Sequence, residues 1–427
     1  MRSLVLIGVL AALVLPGNAA DKTTIAQLEQ MIAQHSVRPR ETPGKQSSLA
    51  PDEIHLDLDD SDLLHQLEKD DDLIPKIESI ELTERMSTLT LYRLVGKYNL
   101  GPHLQQVLEQ LADRSALLKL PPAEQLPQPA PDAAAQVKTL AEARSYVIKE
   151  LAHLPNFMAT ETTTRFDTVP VALRYFQSET DSAGFHRVGA DKHQITFRDG
   201  KEVVDESHAP SDPRQPDPKQ KDNGLQSRGE FGAEAAVVLM DLEKGSATFD
   251  HWEQTMGGPA VVYRYSVPRE ASHYEVTDEC QEHVSFHDTP AYQGELAVDP
   301  KSGAILRMTL ETESNPGDPV SHIASVVEYG PVVLGNRRSI CPLRSLTFMV
   351  QETNGCTHGK QKLEKPVAMI NQTIFSNYHR FGSSVTMIVN EAENGHTPPQ
   401  GAANKVQPGG GKGSPIGPAV TGQSRRP

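Results

Sequence analysis

The side chains best suited to metal binding or catalysis fall in one short stretch that contains Cys280, His283, His287 and Asp288. Thiolate, imidazole and carboxylate groups are the usual protein ligands of zinc, and two histidines four residues apart share one face of a helix. The surrounding residues VTDECQEHVSFHDTP show no helical apolar pattern, and in a strand such positions lie roughly 13 Å apart. The glutamate of an HExxH motif is absent, because Val284 occupies its position. Two alternatives stay open: a metal site formed by Cys280, His283 and His287, or polar loop histidines beside a structural cysteine.

A second candidate site is an acidic run with the spacing of a calcium-binding loop. Asp57, Asp59, Ser61 and Glu68 occupy its positions one, three, five and twelve. Asp62 stands where the sharp turn of such a loop requires glycine. The same residues are also typical of a capped short helix with a solvated acidic face.

Two further patterns resemble functional sites but do not predict one. GGGKGS at 409–414 lacks the spacing, the preceding strand and the following helix of a phosphate-binding loop. Asp250, His251 and Glu253 carry acid–base groups, but an alternating strand places such polar residues toward water. The GxSxG motif of serine hydrolases does not occur. The sequence therefore assigns no catalytic residue and predicts no cofactor.

The first twenty residues have the three-part pattern of a secretory signal peptide. Arg2 is the positive residue, and 4–15 is an apolar run too short to span a bilayer. Gly17 and Ala19 are the small residues that signal peptidase requires, so we expect cleavage after Ala19. Later segments do not reach the roughly 18 apolar residues of a membrane helix. We therefore expect a periplasmic or secreted protein without a transmembrane segment.

Composition narrows the classes of partner. The formal net charge of −15 disfavours nucleic acid and anionic membrane surfaces. Hydrophobic residues make up only 37% of a chain that also contains 32 prolines and 30 glycines, which indicates long linker or tail segments.

The three cysteines suggest one disulfide and one free thiol in an oxidising compartment. Cys341 and Cys356 lie near opposite ends of a predicted strand, and about ten strand residues would separate them by roughly 30 Å. A bridge tolerates a Cα separation of only about 7 Å. In a meander, the segment before Tyr292 and the loop after Val350 emerge at the same end. We therefore predict a Cys280–Cys356 bridge, with Cys341 as a buried free thiol.

The hydrophobic pattern divides the chain after the signal peptide of 1–20. Residues 21–120 show helical spacing and predict a small bundle. The segment 121–132, PPAEQLPQPAPD, is typical of an extended linker, and 391–427 is typical of a disordered tail rich in glycine and proline. Residues 133–390 begin with a helical pattern. Apolar and polar residues then alternate with a period of two, which predicts an antiparallel sheet. The fold class is α+β, with a curved antiparallel half-barrel-like meander and a covering helix.

The predicted strands of this meander share short connections rich in glycine, proline and aspartate. They are Phe157–Phe166, Val171–Glu179, His193–Phe197, Glu202–Asp205, Ala247–Gln254, Ala260–Val267, Tyr292–Val298, Ala304–Thr312, His322–Tyr329, Arg338–Val350 and Ala368–Phe381, with a short helix at Ala233–Leu242.

Several short motifs together resemble those of an uncharacterised family of exported bacterial proteins. They are LTERMS, ADRSALL, LPNFMATETTTRF, AYQGELAVDPKSGAILRMTLE, VEYGPVVLG, CPLRS and NYHRFGS, and they extend over most of 73–390. This resemblance carries no known activity and assigns no functional residue. The succession of strands is more distantly similar to the periplasmic half-barrel of lipoprotein carriers and sigma-factor regulators. That fold implies a curved sheet covered by helices over an apolar cavity.

The leading interpretation is a non-enzymatic envelope protein that binds a lipid-like ligand or an envelope protein, because a covered, curved sheet leaves an apolar concavity. A metal-dependent hydrolase using Cys280, His283 and His287 is the alternative. A structural scaffold is the third possibility.

Overall fold

The computed structural model describes residues 21–35, 72–151, 154–168, 185–198, 200–204, 225–227, 229–280, 283–315, 317–353, 362–381 and 419–423. The helices share moderate length and lie mostly before the sheet. They are α1 (Ile25–His35), α2 (described over 72–78), α3 (Thr88–Tyr98), α4 (Pro102–Arg114), α5 (Ala133–Tyr146, continued by a π turn over Val147–Leu151) and α6 (Ala233–Asp241).

The strands are β1 (Asp21–Thr23), β2 (Ile80–Leu82), β3 (Phe157–Asp167), β4 (His186–Arg198), β5 (Lys201–Val204), β6 (Gln226–Ser227), β7 (Ser246–Thr255), β8 (Gly258–Val267), β9 (Glu275–Cys280), β10 (His283–Asp288), β11 (Ala291–Val298), β12 (Ile305–Glu313), β13 (Val320–Leu334), β14 (Arg337–Thr353), β15 (Lys362–Arg380) and β16 (Ala419–Gln423).

Ten of these strands form one open antiparallel sheet in the order β5-β4-β3-β15-β14-β13-β12-β11-β8-β7. Strands β11 to β15 follow one another as a meander, as the short connections predict. The fold is therefore α+β with a large open sheet, which confirms the predicted fold class. The pairing of β3 with β15, which joins the first and last strands of the region, was not predicted.

The predicted strand positions agree with the structure where it describes them. The predicted Tyr292–Val298 and Ala304–Thr312 correspond to β11 and β12, and the predicted helix Ala233–Leu242 corresponds to α6. The predicted strand Val171–Glu179 lies outside the described residues. Strands β13 to β15 are longer than predicted, because polar and glycine residues within them still pair.

Successive residues of a strand point to opposite faces, so the sheet has two faces with different coverings. On the first face, α5, its π turn and α6 pack on the largest apolar core through Ala143, Leu151, Val238 and neighbouring residues. The second face contacts the helical segment of 72–120, where Ala116 and Leu117 pack on Val326 and other strand residues. The sheet is thus covered by helices on both sides.

The helical segment has a separate apolar core made by α1 to α4, and β1 pairs in parallel with β2. Ser87 caps α3 by accepting a hydrogen bond from the Thr90 amide, and Pro102 begins α4 at the first helical position. The dipeptide Gly101-Pro102 is the local sequence signal for this start, because proline is preferred at a first helical position.

A smaller four-stranded sheet has the order β10-β9-β16-β6. Its strand β16 falls within the predicted disordered tail, so the prediction is wrong for 419–423. This strand pairs in parallel with β9. Among the helices that the structure describes, none combines the length and apolar character needed to cross a membrane.

The turn between β11 and β12 positions α5 on the sheet. Lys301 and Ser302 donate hydrogen bonds to the carboxylate of Asp299, as expected for an Asp-Pro-Lys-Ser-Gly turn. Gly303 completes the turn at φ 74°, a conformation that residues with a Cβ rarely adopt. A Cβ at Gly303 would lie 2.5 Å from the carbonyl carbon of Glu142 in α5.

We expect Gly303→Ala to lower the free energy of unfolding by more than the roughly 1–3 kcal/mol of backbone strain alone, because the turn also loses its contact with α5. Gly317→Ala is the matched control, since Gly317 has φ 95° but open space around its Cβ position. Urea denaturation of both variants measures the difference. Equal losses of stability would show that the turn does not position α5.

Candidate functional site

A buried cluster of charged side chains joins the helical segment to the second face of the sheet. Its centre is Glu253 on β7, whose side chain is 2% exposed. Arg85, from the loop after β2, forms a close ion pair with Glu253. Arg307 on β12 donates from Nε to Glu253 Oε1 at 2.9 Å and from Nη2 to Glu295 Oε2 at 2.6 Å. One carboxylate thus holds two guanidinium groups from distant parts of the chain.

His251 and Glu253 are buried, so the prediction that they are solvated surface residues is wrong. A register irregularity between Phe249 and His251 changes the direction of the side chains that follow it in β7. Both residues consequently point to the second face, where Arg85 and its neighbours exclude water. Asp250 lies at the irregularity and accepts a hydrogen bond from His251 Nδ1 at 2.8 Å.

The electrostatics of this cluster favour a fixed charge arrangement over acid–base chemistry. Burial opposes ionisation of Glu253, but Arg307 and Arg85 hold the pKa of this carboxyl well below its ordinary value. Burial also disfavours the charged form of His251, and its hydrogen bonds to Asp250 and Glu253 outweigh that effect and raise its pKa. A carboxylate bound by two arginines is a weak proton acceptor. The cluster therefore ties two parts of the fold together.

Two more contacts extend this connection around a small cavity. Arg344 on β14 forms a close ion pair with Asp113 of α4, and Thr88 donates to Glu328 at 2.7 Å. The cavity beside them has a volume of about 40 Å³. Such a space suits about three water molecules rather than an organic substrate.

The proline-rich segment 121–132 is also held against the sheet. The Leu126 amide donates to the Trp252 carbonyl at 2.8 Å, and the Trp252 indole donates to the Pro129 carbonyl at 2.9 Å. The segment therefore covers part of the edge strand β7. The division of the chain into a helical and a β-rich domain on either side of 121–132 stays a prediction.

Replacing Glu253 with glutamine removes the charge that both arginines share. We expect Glu253→Gln to lower the free energy of unfolding by about 3–5 kcal/mol, since two buried cations lose their counter-ion. The control is Glu29→Gln, because Glu29 pairs with Arg93 and Lys97, both nearly half exposed, on the helical segment. That exposed pair contributes only about 0.2–1 kcal/mol. Urea denaturation at pH 7 compares the free energies of unfolding of the two variants. Similar small losses would contradict the conclusion that Glu253 joins the helical segment to the sheet.

The first face of the sheet carries an aromatic cluster that a covering segment, described over 225–227 and 229–242, closes. Phe157 and Phe197 stack with their ring centroids 5.1 Å apart. Phe231, which precedes α6, lies 5.6 Å from Phe157, 6.0 Å from Phe197 and 5.3 Å from Phe375. Its ring is also 6.5 Å from that of Tyr378. One side chain of the covering segment therefore fills the centre of an apolar concavity.

The same covering segment brings carboxyl groups into the interior. Glu230 and Glu234, which are 7% and 5% exposed, lie four residues apart and face the sheet. Ser325 on β13 donates to Glu234, and Ser227 donates to Glu230 at 2.7 Å. Burial, with a smaller effect of the nearby Glu230 charge, raises the pKa of Glu234 to about 7, although the hydrogen bond from Ser325 lowers it. Burial likewise raises the pKa of the half-buried Glu161 on β3 to about 7.

The residues of the predicted zinc site lie in one hairpin, and the site itself stays a prediction. Cys280 and His283 are register partners in the hairpin of β9 and β10, whereas His287 pairs with Thr277. His287 is exposed, and its Nδ1 lies 3.5 Å from the Thr277 hydroxyl. Over the part of the chain that the structure describes, no three His, Cys, Asp or Glu side chains are placed to hold a metal ion. The side chains of Cys280 and His283 are not among the described ones.

The remaining sequence candidates lie outside the described residues. These are the calcium pattern of Asp57, Asp59, Ser61 and Glu68 and the stretch 409–414. Cys341 is free and buried, in agreement with the prediction. Cys356 is not described, so the Cys280–Cys356 bridge stays a prediction. Cys280 lies in the small sheet rather than in the ten-stranded sheet from which the pairing was argued.

We expect Cys341 to resist alkylation in the native protein, because burial raises the pKa of its thiol to about 12. Peptide mapping without reduction, after alkylation under native and then denaturing conditions, should show labelled Cys341 only after denaturation. The same map should contain a Cys280–Cys356 peptide pair. A Cys341-containing bridge would contradict both expectations.

Sequence reasoning missed Arg85, Arg307, Glu161, Glu230 and Glu234. A signal was present for Arg307, since this arginine interrupts the apolar run AILRMTL. Glu230 and Glu234 are separated by four positions, a spacing that predicts a shared face in a helix. In the structure only Glu234 lies in α6 and Glu230 lies in the turn before it, so the spacing predicts neither this arrangement nor its burial.

Comparisons with models of known families, with curated proteins and with solved structures gave no match to this chain. The two resemblances noted from the sequence therefore remain predictions, and the case for a function depends on the geometry of the covering segment and the face below it.

Proposed function

We propose that this chain is a non-enzymatic, exported module that binds an apolar or lipid-like ligand on the first face of its sheet. The observation that supports the proposal best is the position of Phe231. This one side chain of the covering segment occupies the centre of the aromatic cluster, among Phe157, Phe197, Phe375 and Tyr378. An apolar guest of similar width would take its place when the segment moves.

The two ends of the covering segment are attached differently. At the end of α6, the buried Asp241 accepts hydrogen bonds from His273 and from a buried tyrosine, so the proposed movement concerns the part that precedes α6 and the first turn of this helix. Inner contacts of the segment include hydrogen bonds from Ser325 and Ser345 to Glu234 and Glu230, in addition to apolar packing. Hydrogen bonds of this kind exchange with water at a small net free-energy difference, about 1 kcal/mol each. An apolar occupant that replaces Phe231 keeps the aromatic face below it out of water.

The export of the protein to the periplasm or the medium is part of the same proposal, on the basis of residues 1–20. Amphiphiles that cross the envelope need a carrier that shields their chains from water, which an aromatic concavity provides. The competing hydrolase would use Cys280, His283 and His287, but the register places His287 opposite Thr277 and away from the other two.

We expect Phe231→Ala to bind the uncharged dye N-phenyl-1-naphthylamine at least tenfold more tightly than the wild type. The truncation leaves an apolar cavity among four rings, which the dye enters without displacing the segment. Titration of the full mature chain, followed by dye fluorescence, measures the change. Phe231→Leu keeps more of the packing and should show a smaller gain, so it serves if the alanine variant does not fold.

Phe249→Ala is the matched control, because Phe249 contacts Trp252 near the opposite edge of the sheet and lies away from Phe231. Its dye affinity should equal that of the wild type. Absence of saturable binding to the wild type and to both Phe231 variants would remove the proposed function. Equal gains for Phe231→Ala and Phe249→Ala would indicate general loosening instead of a defined site.

A further inference from the structure

Three carboxyl groups gather where the covering segment meets the sheet, and none of them forms an ion pair with a residue that the structure describes. Glu234 and Glu230 come from the segment, and Glu161 comes from β3. Their hydrogen-bond partners are hydroxyl groups: Ser325 for Glu234 and, for Glu161, Thr163 at 3.2 Å. A buried carboxylate without a cation is costly, whereas the protonated form needs no counter-ion.

The surroundings of Glu234 add hydroxyl groups in place of positive charge. Tyr274 and Tyr329 are almost fully buried, and their hydroxyl groups have no hydrogen-bond partner among the described residues. Both phenols feel the charge of Glu234 and of Glu230, which together with burial raises their pKa well above the ordinary value. Tyr265 and Tyr292 are also close enough to respond to the charge of Glu234. The Tyr265 hydroxyl donates to the Thr309 carbonyl, and the Tyr292 hydroxyl donates to Asp241, whose carboxylate pairs with His273 at the far end of α6.

Glu161 and Glu230 have a related environment. Ser345 on β14 lies 3.4 Å from Glu230, and the charge of Glu230 acts on Glu161. On the neighbouring strand β4, His193 is the register partner of Glu161. Arg165 on β3 exerts a weaker attraction on Glu161, but this arginine forms a close ion pair with Asp191. Negative charge on Glu161 and Glu230 is therefore opposed by little positive charge.

We propose that the covering segment is a proton-sensitive cover, which rests on the aromatic face when Glu161 and Glu234 hold protons and lifts from it when both are charged. This inference concerns the regulation of the proposed ligand site and rests on that function. Deprotonation leaves like charges at a dry interface, and hydration of these charges requires separation of the segment from β3 and β13. Movement of the segment withdraws Phe231 from the aromatic cluster and admits the ligand.

The direction of the pH effect follows from the raised pKa values of two carboxyl groups. The pKa of Glu161 and of Glu234 is about 7 with the cover closed, against an ordinary 4.5. Closure is therefore fully favoured below about pH 4.5, and this contribution is lost as the pH rises through about 7. A ligand would enter at neutral to alkaline pH. In acid the bound ligand would be retained and would exchange with free ligand more slowly.

Hydrogen–deuterium exchange of the full mature chain at pH 5.5 and pH 8 tests the cover without any ligand. After correction for the intrinsic pH dependence of amide exchange, peptides from 229–242 should exchange at least tenfold faster at pH 8, while peptides from β8 stay unchanged. In the double variant Glu161→Gln/Glu234→Gln, amide exchange of the segment should stay slow at both pH values, since neutral amides mimic protonated carboxyls. Glu234→Gln alone, with a smaller effect, serves if the double variant is unfolded by circular dichroism.

Glu311→Gln is the matched control, because burial also raises the pKa of Glu311 but this residue lies on the second face. It should keep the wild-type pH response. Equal exchange at both pH values in the wild type, or an unchanged response in the glutamine variants, would overturn the cover. Dye titration at both pH values separates the two proposals. A pH response in hydrogen exchange without dye binding removes the proposed function. Dye binding that is independent of pH, without a pH response in hydrogen exchange, removes the cover.

Discussion

Burial of the Glu253 carboxylate is the constraint around which the second face of the sheet is organised. A lone carboxylate at 2% exposure would be strongly destabilising, so two guanidinium groups must accompany it. Arg307 comes from the sheet itself, but Arg85 comes from the helical segment more than 160 positions earlier. The charge balance of the sheet is therefore complete only when the helical segment is docked, and the ion pair of Arg344 with Asp113 has the same consequence.

The first face of the sheet is organised differently around Phe231. There the carboxyls of Glu161, Glu230 and Glu234 meet hydroxyl groups and form no ion pair with a residue that the structure describes. The aromatic cluster around Phe231 lies beside them. Compensated charge ties the helical segment to the second face, whereas the carboxyls without a cation on the first face are the basis of the proposed proton-sensitive cover. One sheet would thus combine an ion-paired attachment on one side with a movable one on the other.

Much of the fold could be predicted from the sequence, because alternation of apolar residues and short polar turns are local signals. Strands β11 and β12 and the turn at Gly303 are examples. The pairing of β3 with β15 could not be predicted, since strands more than 200 positions apart leave no local signal. The burial of His251 and Glu253 was missed because it depends on an irregularity in β7 and on Arg85, and neither follows from the alternating pattern. The inward side of Glu230 and Glu234 depends in the same way on where α6 docks.

The central claim is that the aromatic face below residues 225–242 is a ligand site. Native mass spectrometry of the mature protein, taken directly from its natural source at pH 5.5 without detergent, tests this claim most directly. The account predicts a fraction of the protein with the added mass of one lipid-like molecule, and loss of this molecule when the preparation is brought to pH 8 and washed. Protein found only at its own polypeptide mass, in preparations where a known lipid carrier keeps its ligand, would contradict the account.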